Sequence, residues 1–480
     1  MTARTGPHAG RQDEDVRTRR LGQEPIGRLL WSFSLPAIAG MLVGSLYTVI
    51  DRAFLGNVVG AEALAGLSVG MPIAFILMAF GMLVGVGSGA LISIRLGQGR
   101  KDEAERLLGN ALALTLVVTV VLTTVLLIFL DPLLVLFGAS AQVLPYAREF
   151  MQVIVAGSIC QHIAFGLNAV IRAEGNPRLA MGTMFINAGL NIVLDVVLIL
   201  GLGYGVTGAA VATVISQGVS AIWTLAHFRS RRSVIRLRAR HLLPSWSLSR
   251  PVLAIGLAPF TMHLAASLIA LIINQALARH GGDEAIGAYG VINALSMLML
   301  MPIFGIVQGA QPIIGYNFGA GATGRVRQTL KLAAIAATTI MCVGFGFAQA
   351  IPELLMQVFT RDPRLLEIGA RGLRICLVVA PVVGFQIVGA NFFQAIGRAR
   401  TALVLSLLRQ VLILIPLLLI LPSVLGLDGV WVAGPIADLL SGVLTGVVLL
   451  RTLRRLPYLT PPPGSVRPSP TAAQAATSPP

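Results

Sequence analysis

The chain has 480 residues, 55% hydrophobic and only 12% charged, with a mean hydropathy of +0.82. Soluble globular chains carry roughly 25% charged residues, so a soluble domain is excluded. A formal net charge of +16 would suit nucleic acid, but where the charges stand points elsewhere.

Apolar runs near or above about 18 residues recur along most of the length, each long enough to cross a bilayer as a helix. A membrane β-barrel would instead show short segments of alternating polarity. The fold class expected is therefore an all-α polytopic membrane protein with twelve helices. In chain order they are predicted near 29–55, 61–92, 107–130, 147–171, 179–203, 208–228, 251–278, 286–315, 328–351, 366–393, 401–422 and 430–451. Most of the 36 Lys and Arg fall in the two termini and in the even-to-odd connections, above all in "RSRRSVIRLRARHLL" (229–243). By the positive-inside rule both termini and that connection are cytoplasmic. The charge marks topology, and nucleic acid is not expected as a partner.

The start, "MTARTGPHAGRQDEDVRTRR", lacks a short hydrophobic core with a cleavage site, so no removable signal peptide is expected. The end, "PPPGSVRPSPTAAQAATSPP", reads as a disordered tail. Cys160, Cys342 and Cys376 lie in apolar segments at no metal-like spacing and read as packing residues.

Two halves repeat one plan. "IRLGQGRKDEAERLL" (94–108) aligns with "YNFGAGATGRVRQTL" (316–330) at a shift of 222, and "RAEGNPRLAM" (172–181) with "QAIGRARTAL" (394–403) at the same shift. Pro36 and Asp51 recur as Pro259 and Asn274 at a shift of 223. The expected organisation is a cytoplasmic tail (1–25), a first lobe of helices 1–6 (26–228), a basic linker (229–250), a second lobe of helices 7–12 (251–455) and a C-terminal tail (456–480). Six helices per half make a pseudo-symmetric parallel repeat, a plan that secondary transporters use with the substrate path between the halves.

Lipid penalises polar residues most at mid-span, so those found there are candidates for function. Pro36, in "FSLPAIAGMLVG", kinks helix 1 by removing a backbone bond, whether as a fixed bend or a moving one. Of the twenty acidic residues only Asp51, Asp195 and Asp438 fall within spans. Asp51 closes helix 1 beside Arg52, and a simple ion pair between the two is the alternative to a site. In "INAGLNIVLDVVLILGLG" (186–203), Asn187, Asn191 and Asp195 recur at steps of four, forming one stripe that must face protein or water. The two Asn residues could equally serve to bond neighbouring helices. Asn168 on helix 4 and Thr213 on helix 6 are further polar candidates around the two acids. Two carboxylates, two amide oxygens and a hydroxyl suit a sodium ion, which prefers oxygen ligands; the same acids could instead share one proton. The second half keeps the uncharged Asn274 where the first has Asp51, and has no acid where the first has Asp195. Asp438, in "GPIADLLSG", is either a second proton site or a packing residue with Ser441.

"GVGSGA" (85–90) has dinucleotide-like spacing but no preceding strand, and reads as close helix packing. His162 and His263 read as structural. No Walker motif, nucleophile elbow or metal-spaced His/Cys set is present; no enzyme and no cofactor beyond a coupling ion are expected.

The chain resembles the multidrug and toxic compound extrusion (MATE) family of transporters. The resemblance is carried by "SLPAIAGMLVGSLYTVIDRAFLG" (34–56), "GLSVGMPIAFILMAFGMLVGVGSGALISIRLGQGRKDEAERLLGNA" (66–111), "RAEGNPRLAM" (172–181) and "INAGLNIVLDVVLILGLGYGVTGAAVAT" (186–213). It covers about 25 to 455, and the second passage is similar to the branch containing the Staphylococcus-type multidrug exporters. It implies two six-helix lobes around a cavity that alternates in access, in a bacterial cytoplasmic (inner) membrane. It also implies export of bulky, often cationic, aromatic organic compounds against incoming sodium ions or protons. Relatives with a first-lobe cation site have a ligand pattern that matches Asp51, Asn168, Asn191, Asp195 and Thr213, and a helix 1 proline that matches Pro36. Relatives with a second-lobe site carry a glutamate on helix 7, and "GLAPFTMHLAASLIALIINQAL" (256–277) has no acid. A monomer is expected. The rival reading within the superfamily is a lipid-linked precursor flippase, which would need cavity arginines such as Arg409, Arg371 and Arg374 to hold pyrophosphate.

Overall fold

The structure is a computed structural model and describes residues 20–58, 61–359 and 362–456. Most of both terminal tails lies outside these residues. Among the described residues every regular element is helical. Ten single helices are long and apolar enough to span a membrane, and two bent pairs bring the number to twelve. In chain order they are α1 (Ile26–Val58), α2 (Ala61–Gly97), α3 (Lys101–Ile128), α4 (Leu144–Ala156 with Ser158–Ala173), α5 (Pro177–Gly201) and α6 (Gly205–Arg229). Then come α7 (Trp246–Gly282), α8 (Glu284–Gly319), α9 (Thr323–Ala350), α10 (Pro363–Cys376 with Ala380–Ala395), α11 (Ala399–Leu425) and α12 (Leu427–Arg455).

The repeat is written into the backbone. Lys101 and Thr323 open α3 and α9, Pro177 and Ala399 open α5 and α11, and Gly205 and Leu427 open α6 and α12, each pair 222 residues apart. Short helices at Leu130–Leu136 and Pro352–Gln357 keep the same spacing. Gly99 and Gly321, then Gly175 and Gly397, turn the chain in the left-handed region at matching places, where a side chain would be strained. Two features depart from a picture of straight spans. α4 bends by 52° at Gly157 and α10 by 51° at the equivalent break. Gly157 lies against Val214, and a Cβ there would stand 2.3 Å from a Val214 methyl.

The halves meet through glycine. Gly87 and Gly97 of α2 press on the Val252 and Tyr316 carbonyls, and Gly319 of α8 presses on that of Ile94; a Cβ at any of them would stand within about 2 Å of the oxygen. Gly256 of α7 packs in the same way on Leu83. The contacts obey the repeat: Gly97 meets Tyr316, and their counterparts Gly319 and Ile94 meet each other. α1 joins the seam at Ser34 and Ile38, which back onto Gly309 and Gly305 of α8. The seam lies at the ends of the helices nearest the basic linker.

The linker is not a loose loop. Buried Glu174 accepts from the His227 ring, from Ser233 Oγ at 2.7 Å and from the Val234 amide at 3.1 Å. Glu105, also buried, takes the Arg236 amide at 3.2 Å and pairs with Arg238 at 2.8 Å, while Asn110 accepts from the Ser245 amide at 2.7 Å. Val234 and Ile235 sink into the core of the first half between these anchors.

Candidate cation site

α5 starts where Asn176 caps its first turn, accepting from the Leu179 amide at 3.3 Å, with Pro177 at the first helical position. It stays α-helical to Asp195 and then widens into a π-helical stretch, Val196–Gly201. Such widening is common at functional sites. Asp195 thus lies where the regular helix gives way, about 27 Å along α5 at 1.5 Å per residue.

α1 and α5 run side by side in the same direction with a constant register. Gly40 packs on Met184, and Leu55 shares an apolar cluster with Ile199, Val206 and Ala209. Both α1–α5 pairs are 144 residues apart, as are Asp51 and Asp195. The two acids therefore stand at one level, one turn below the Leu55–Ile199 plug, and within electrostatic reach of each other. Asp195 is 0% exposed and Asp51 8%. Neither Asp195 oxygen accepts a hydrogen bond from any described residue. An ionised carboxylate in that position has lost its water without compensation, which is strongly unfavourable. The Arg52 side chain, offered above as a partner for Asp51, lies outside the described residues.

Asn191, one turn before Asp195, donates through Nδ2 to Thr213 Oγ1 at 3.3 Å, and Thr213 donates to the Ala209 carbonyl at 3.0 Å. The carbonyl oxygens of Asn191 and Asn187 are sheltered and accept nothing among the described residues. Asp51, Asp195, Asn191 and Thr213 are thus gathered on α1, α5 and α6, with Asn187 one further turn away. The two Asp195 oxygens and the Asn191 and Asn187 carbonyl oxygens, which accept nothing among the described residues, are acceptors that a bound cation or an added proton would satisfy.

Asn168 is the correction. Its Nδ2 donates to the Ala180 carbonyl at 2.8 Å and to Thr183 Oγ1 at 2.6 Å, and its Oδ1 accepts from Arg172. Thr183 precedes Asp195 by twelve residues, about 18 Å along the helix. Asn168 therefore belongs to a separate buried cluster near the seam, and the ligand set expected from the sequence loses its α4 member.

Pro36 lies inside α1, which continues through it as one helix. Its turn is held between the Ser34–Gly309 and Ile38–Gly305 contacts with α8. α1 therefore touches α5 along one side and the second half along another. Asn274 on α7 is exposed, where its counterpart Asp51 is buried. Asp438 on α12 is paired: Arg409 Nε stands 2.6 Å from its Oδ1. Ser441 donates to the Asp438 backbone carbonyl at 3.1 Å and leaves the carboxylate alone. His162 is satisfied structurally, between Thr119 Oγ1 at 2.7 Å and the Leu77 carbonyl at 2.8 Å.

The π stretch after Asp195 and the pairing of Arg409 with Asp438 were not anticipated. The first has a faint signal in the glycines that end "VVLILGLG"; the second joins two residues that the sequence flags separately.

The chain is similar to known proteins along most of its length. The chain is 27% identical to the multidrug export protein MepA of Staphylococcus haemolyticus, over 90% of this chain and 95% of the relative. It is 28% identical to the MepA of Staphylococcus aureus, over 85% and 90%. A solved MATE multidrug transporter, DinF-BH in complex with R6G, is 40% identical and superposes with a TM-score of 0.85 over 92% of this chain and 98% of that one. An outward-facing multidrug resistance MATE transporter of the MOP superfamily, 25% identical, reaches 0.86 over 91% and 98%. The MatE family model matches twice, at residues 36–197 and 259–420, once in each half, and this multi-pass membrane protein belongs to the MatE family.

Proposed function

We propose that the chain is a cation-coupled antiporter that exports bulky, often cationic organic compounds across the bacterial cytoplasmic membrane by alternating access, with both termini in the cytoplasm. One observation carries the proposal: a fully buried carboxylate, Asp195, with two unsatisfied oxygens, facing a second carboxylate on a helix that also touches the opposite half. The names of the relatives, which are multidrug export proteins, support the cargo class.

A proton or a sodium ion entering from the face opposite the linker lands between Asp51 and Asp195. Its charge offsets their mutual repulsion and gives the orphaned oxygens a partner. α1 is in contact with both the acids and, around Pro36, the glycine seam. A change in how α1 sits on α5 is thereby passed to the contact between halves, and the cationic cargo loses its attraction for the first half. Each positive charge moved inward in excess of the charge on the departing cargo supplies about 2.3 kcal/mol at 100 mV, about fifty-fold in cargo concentration; one-for-one exchange with a singly charged cargo draws on the ion's concentration gradient alone.

Dye efflux from inverted vesicles, driven in turn by an imposed sodium gradient and an imposed pH gradient, tests this. Wild type should respond to one of them and Asp195→Asn to neither; an Asp195→Asn protein that pumps at the wild-type rate ends the proposal. The arginines a flippase would use each stand beside an acid. Arg409 is held by Asp438, Arg371 pairs with Asp428, and Arg374 stands 4.0 Å from Glu353.

A further inference from the structure

The first half keeps its buried acid without a partner, and the second half does not. Subtracting the repeat shift of 222, Arg409 takes the position of Asn187 and Asp438 that of Ser216. The second half has therefore put a cation and an anion where the first has an amide and a hydroxyl. It has also lost the acid itself, since Leu417 stands at the counterpart of Asp195.

The pair lies deep in the span. Arg409 is about 15 Å from the start of α11, and Asp438 about 16 Å from the start of α12, at 1.5 Å per residue. Its side chains are 27% and 12% exposed. Arg409 rides on the second π stretch of the protein, Leu408–Leu414, which packs against α12.

α11, α12 and the neighbouring α10 also carry oxygens that accept no hydrogen bond from the described residues. They are Gln386 Oε1 on α10, Ser406 Oγ and Gln410 Oε1 on α11, and Thr445 Oγ1 on α12. Gln386, Ser406 and Thr445 are 4%, 6% and 1% exposed. α10 packs along α12 here: a Cβ on Gly442, one turn beyond Asp438, would meet Val382, and one on Gly389 would meet the Thr445 methyl, about 10 Å further along α12 than Asp438, at 2.8 Å. Buried polar atoms are rarely left unsatisfied in this number. Oxygen donors are what a small hard cation prefers, and of these groups Asp438 is the carboxylate that already has a cation at hand, Arg409.

We propose that the second half contains a latent site for a small monovalent cation, centred on Asp438, whose cation is supplied by the chain itself as the Arg409 guanidinium. The tethered guanidinium keeps this half charge-neutral through the transport cycle and leaves ion binding to the first half. With Arg409 gone, Asp438 and its neighbouring oxygens take up sodium or a proton from solution.

The test is the thermal unfolding of purified full-length protein in detergent, measured against sodium at fixed pH and against pH at fixed sodium. Wild type, Arg409→Met and the double variant Arg409→Met with Asp438→Asn are compared. Arg409→Met should show a dependence added to that which the first site gives wild type, its midpoint rising more steeply with sodium if the latent site takes sodium, or with falling pH if it takes a proton. The double variant should lose that added dependence. Asp195 is intact in all three, so the first site contributes equally and its own failure would not mimic the result. An Arg409→Met midpoint that follows sodium and pH as wild type does overturns the proposal. So does an Arg409→Met protein that stays unfolded at high sodium and low pH while the double variant folds, and so does the failure of both to fold, which would assign Arg409 a role unrelated to Asp438.

Discussion

The two halves share a backbone plan but bury charge by opposite means. In the first, Asp195 sits at the α-to-π junction of α5 with both oxygens bare and Asp51 one helix away. In the second, the π stretch of α11 carries Arg409, and the only mid-span acid of that half is tied to it at 2.6 Å. Removing one member of a buried pair costs far more than the pair contributes, so the second arrangement is self-contained and the first is incomplete. The repeat gives two equivalent regions; one holds a buried acid whose oxygens accept from no described residue, and the other a pair whose charges offset each other.

The sharpest way to break this contrast is to neutralise each acid in turn. Asp195→Asn should abolish ion-driven efflux, a loss of at least about a hundredfold if ion binding limits the cycle, equivalent to about 2.7 kcal/mol, and it should leave folding intact or improved because a bare buried charge is gone. Asp438→Asn should behave in reverse. It strands Arg409 and should lower stability by up to about 3 kcal/mol, less in proportion to the exposure Arg409 retains, while the choice of driving ion stays that of wild type. Efflux and unfolding measured on the same two proteins decide the matter.

The next effect concerns what holds the halves together. A Cβ at Gly256 would stand 1.7 Å from the Leu83 carbonyl oxygen, whereas one at Gly182 on α5 meets nothing within 4 Å. Gly256→Ala must push backbone away from backbone. It should cost about 1–3 kcal/mol and reduce efflux driven by either gradient. Gly182→Ala should be neutral or add about 0.4–1 kcal/mol. Equal behaviour of the two in thermal unfolding would remove the seam as the contact on which the halves close.

Much of this was legible in the sequence, and the reasons are physical. Hydropathy and length give the twelve spans, because a bilayer demands about twenty apolar residues per crossing. The shift of 222 gives the repeat, and the i, i+4 stripe gives α5 its polar face. What escaped depends on the register between helices. Asn168 reads as a polar residue on a neighbouring span, and only the packing of α4 on α5 shows it beside Ala180 and Thr183 rather than Asp195. Arg409 and Asp438 are each conspicuous, yet 29 residues of sequence between them give no hint that they meet. The bend in α4 lies at Gly157, which packs on Val214 across the fold rather than along the sequence. Glu174 and Glu105 read as acids at helix ends, and the structure makes them the buried anchors of the linker.

That linker is a third asymmetry, since Glu174, Glu105 and Asn110 all belong to the first half. Glu174→Gln removes the charge from a group that accepts three hydrogen bonds, and should cost about 1–3 kcal/mol. Local loosening exposes the arginines between 229 and 240, so trypsin should cut there sooner than in wild type. Transport should fall only as far as stability does; unchanged cleavage would mean the segment is held by Val234 and Ile235 alone.

The smallest effect on coupling is expected at Asn168, and it bears most directly on where the cation site ends. Asn168→Ala deprives the Arg172 guanidinium of its Oδ1 partner and Thr183 Oγ1 of its donor, while the Ala180 carbonyl keeps the Thr183 hydroxyl. A loss of about 1–3 kcal/mol in stability follows from orphaning buried groups. The sodium or pH dependence of efflux should nevertheless be that of wild type, because the residue stands about 18 Å from Asp195 along α5. Asn191→Ala, one turn from the acid, should do the opposite. It removes a sheltered amide oxygen that accepts nothing among the described residues and the donor to Thr213 Oγ1, so the ion concentration giving half-maximal efflux should rise several-fold with little change in unfolding. A pair of variants that shift the ion dependence alike would put Asn168 back among the ligands and require α4 to slide by three turns during the cycle, a movement that its bend at Gly157, packed on Val214, is poorly placed to allow.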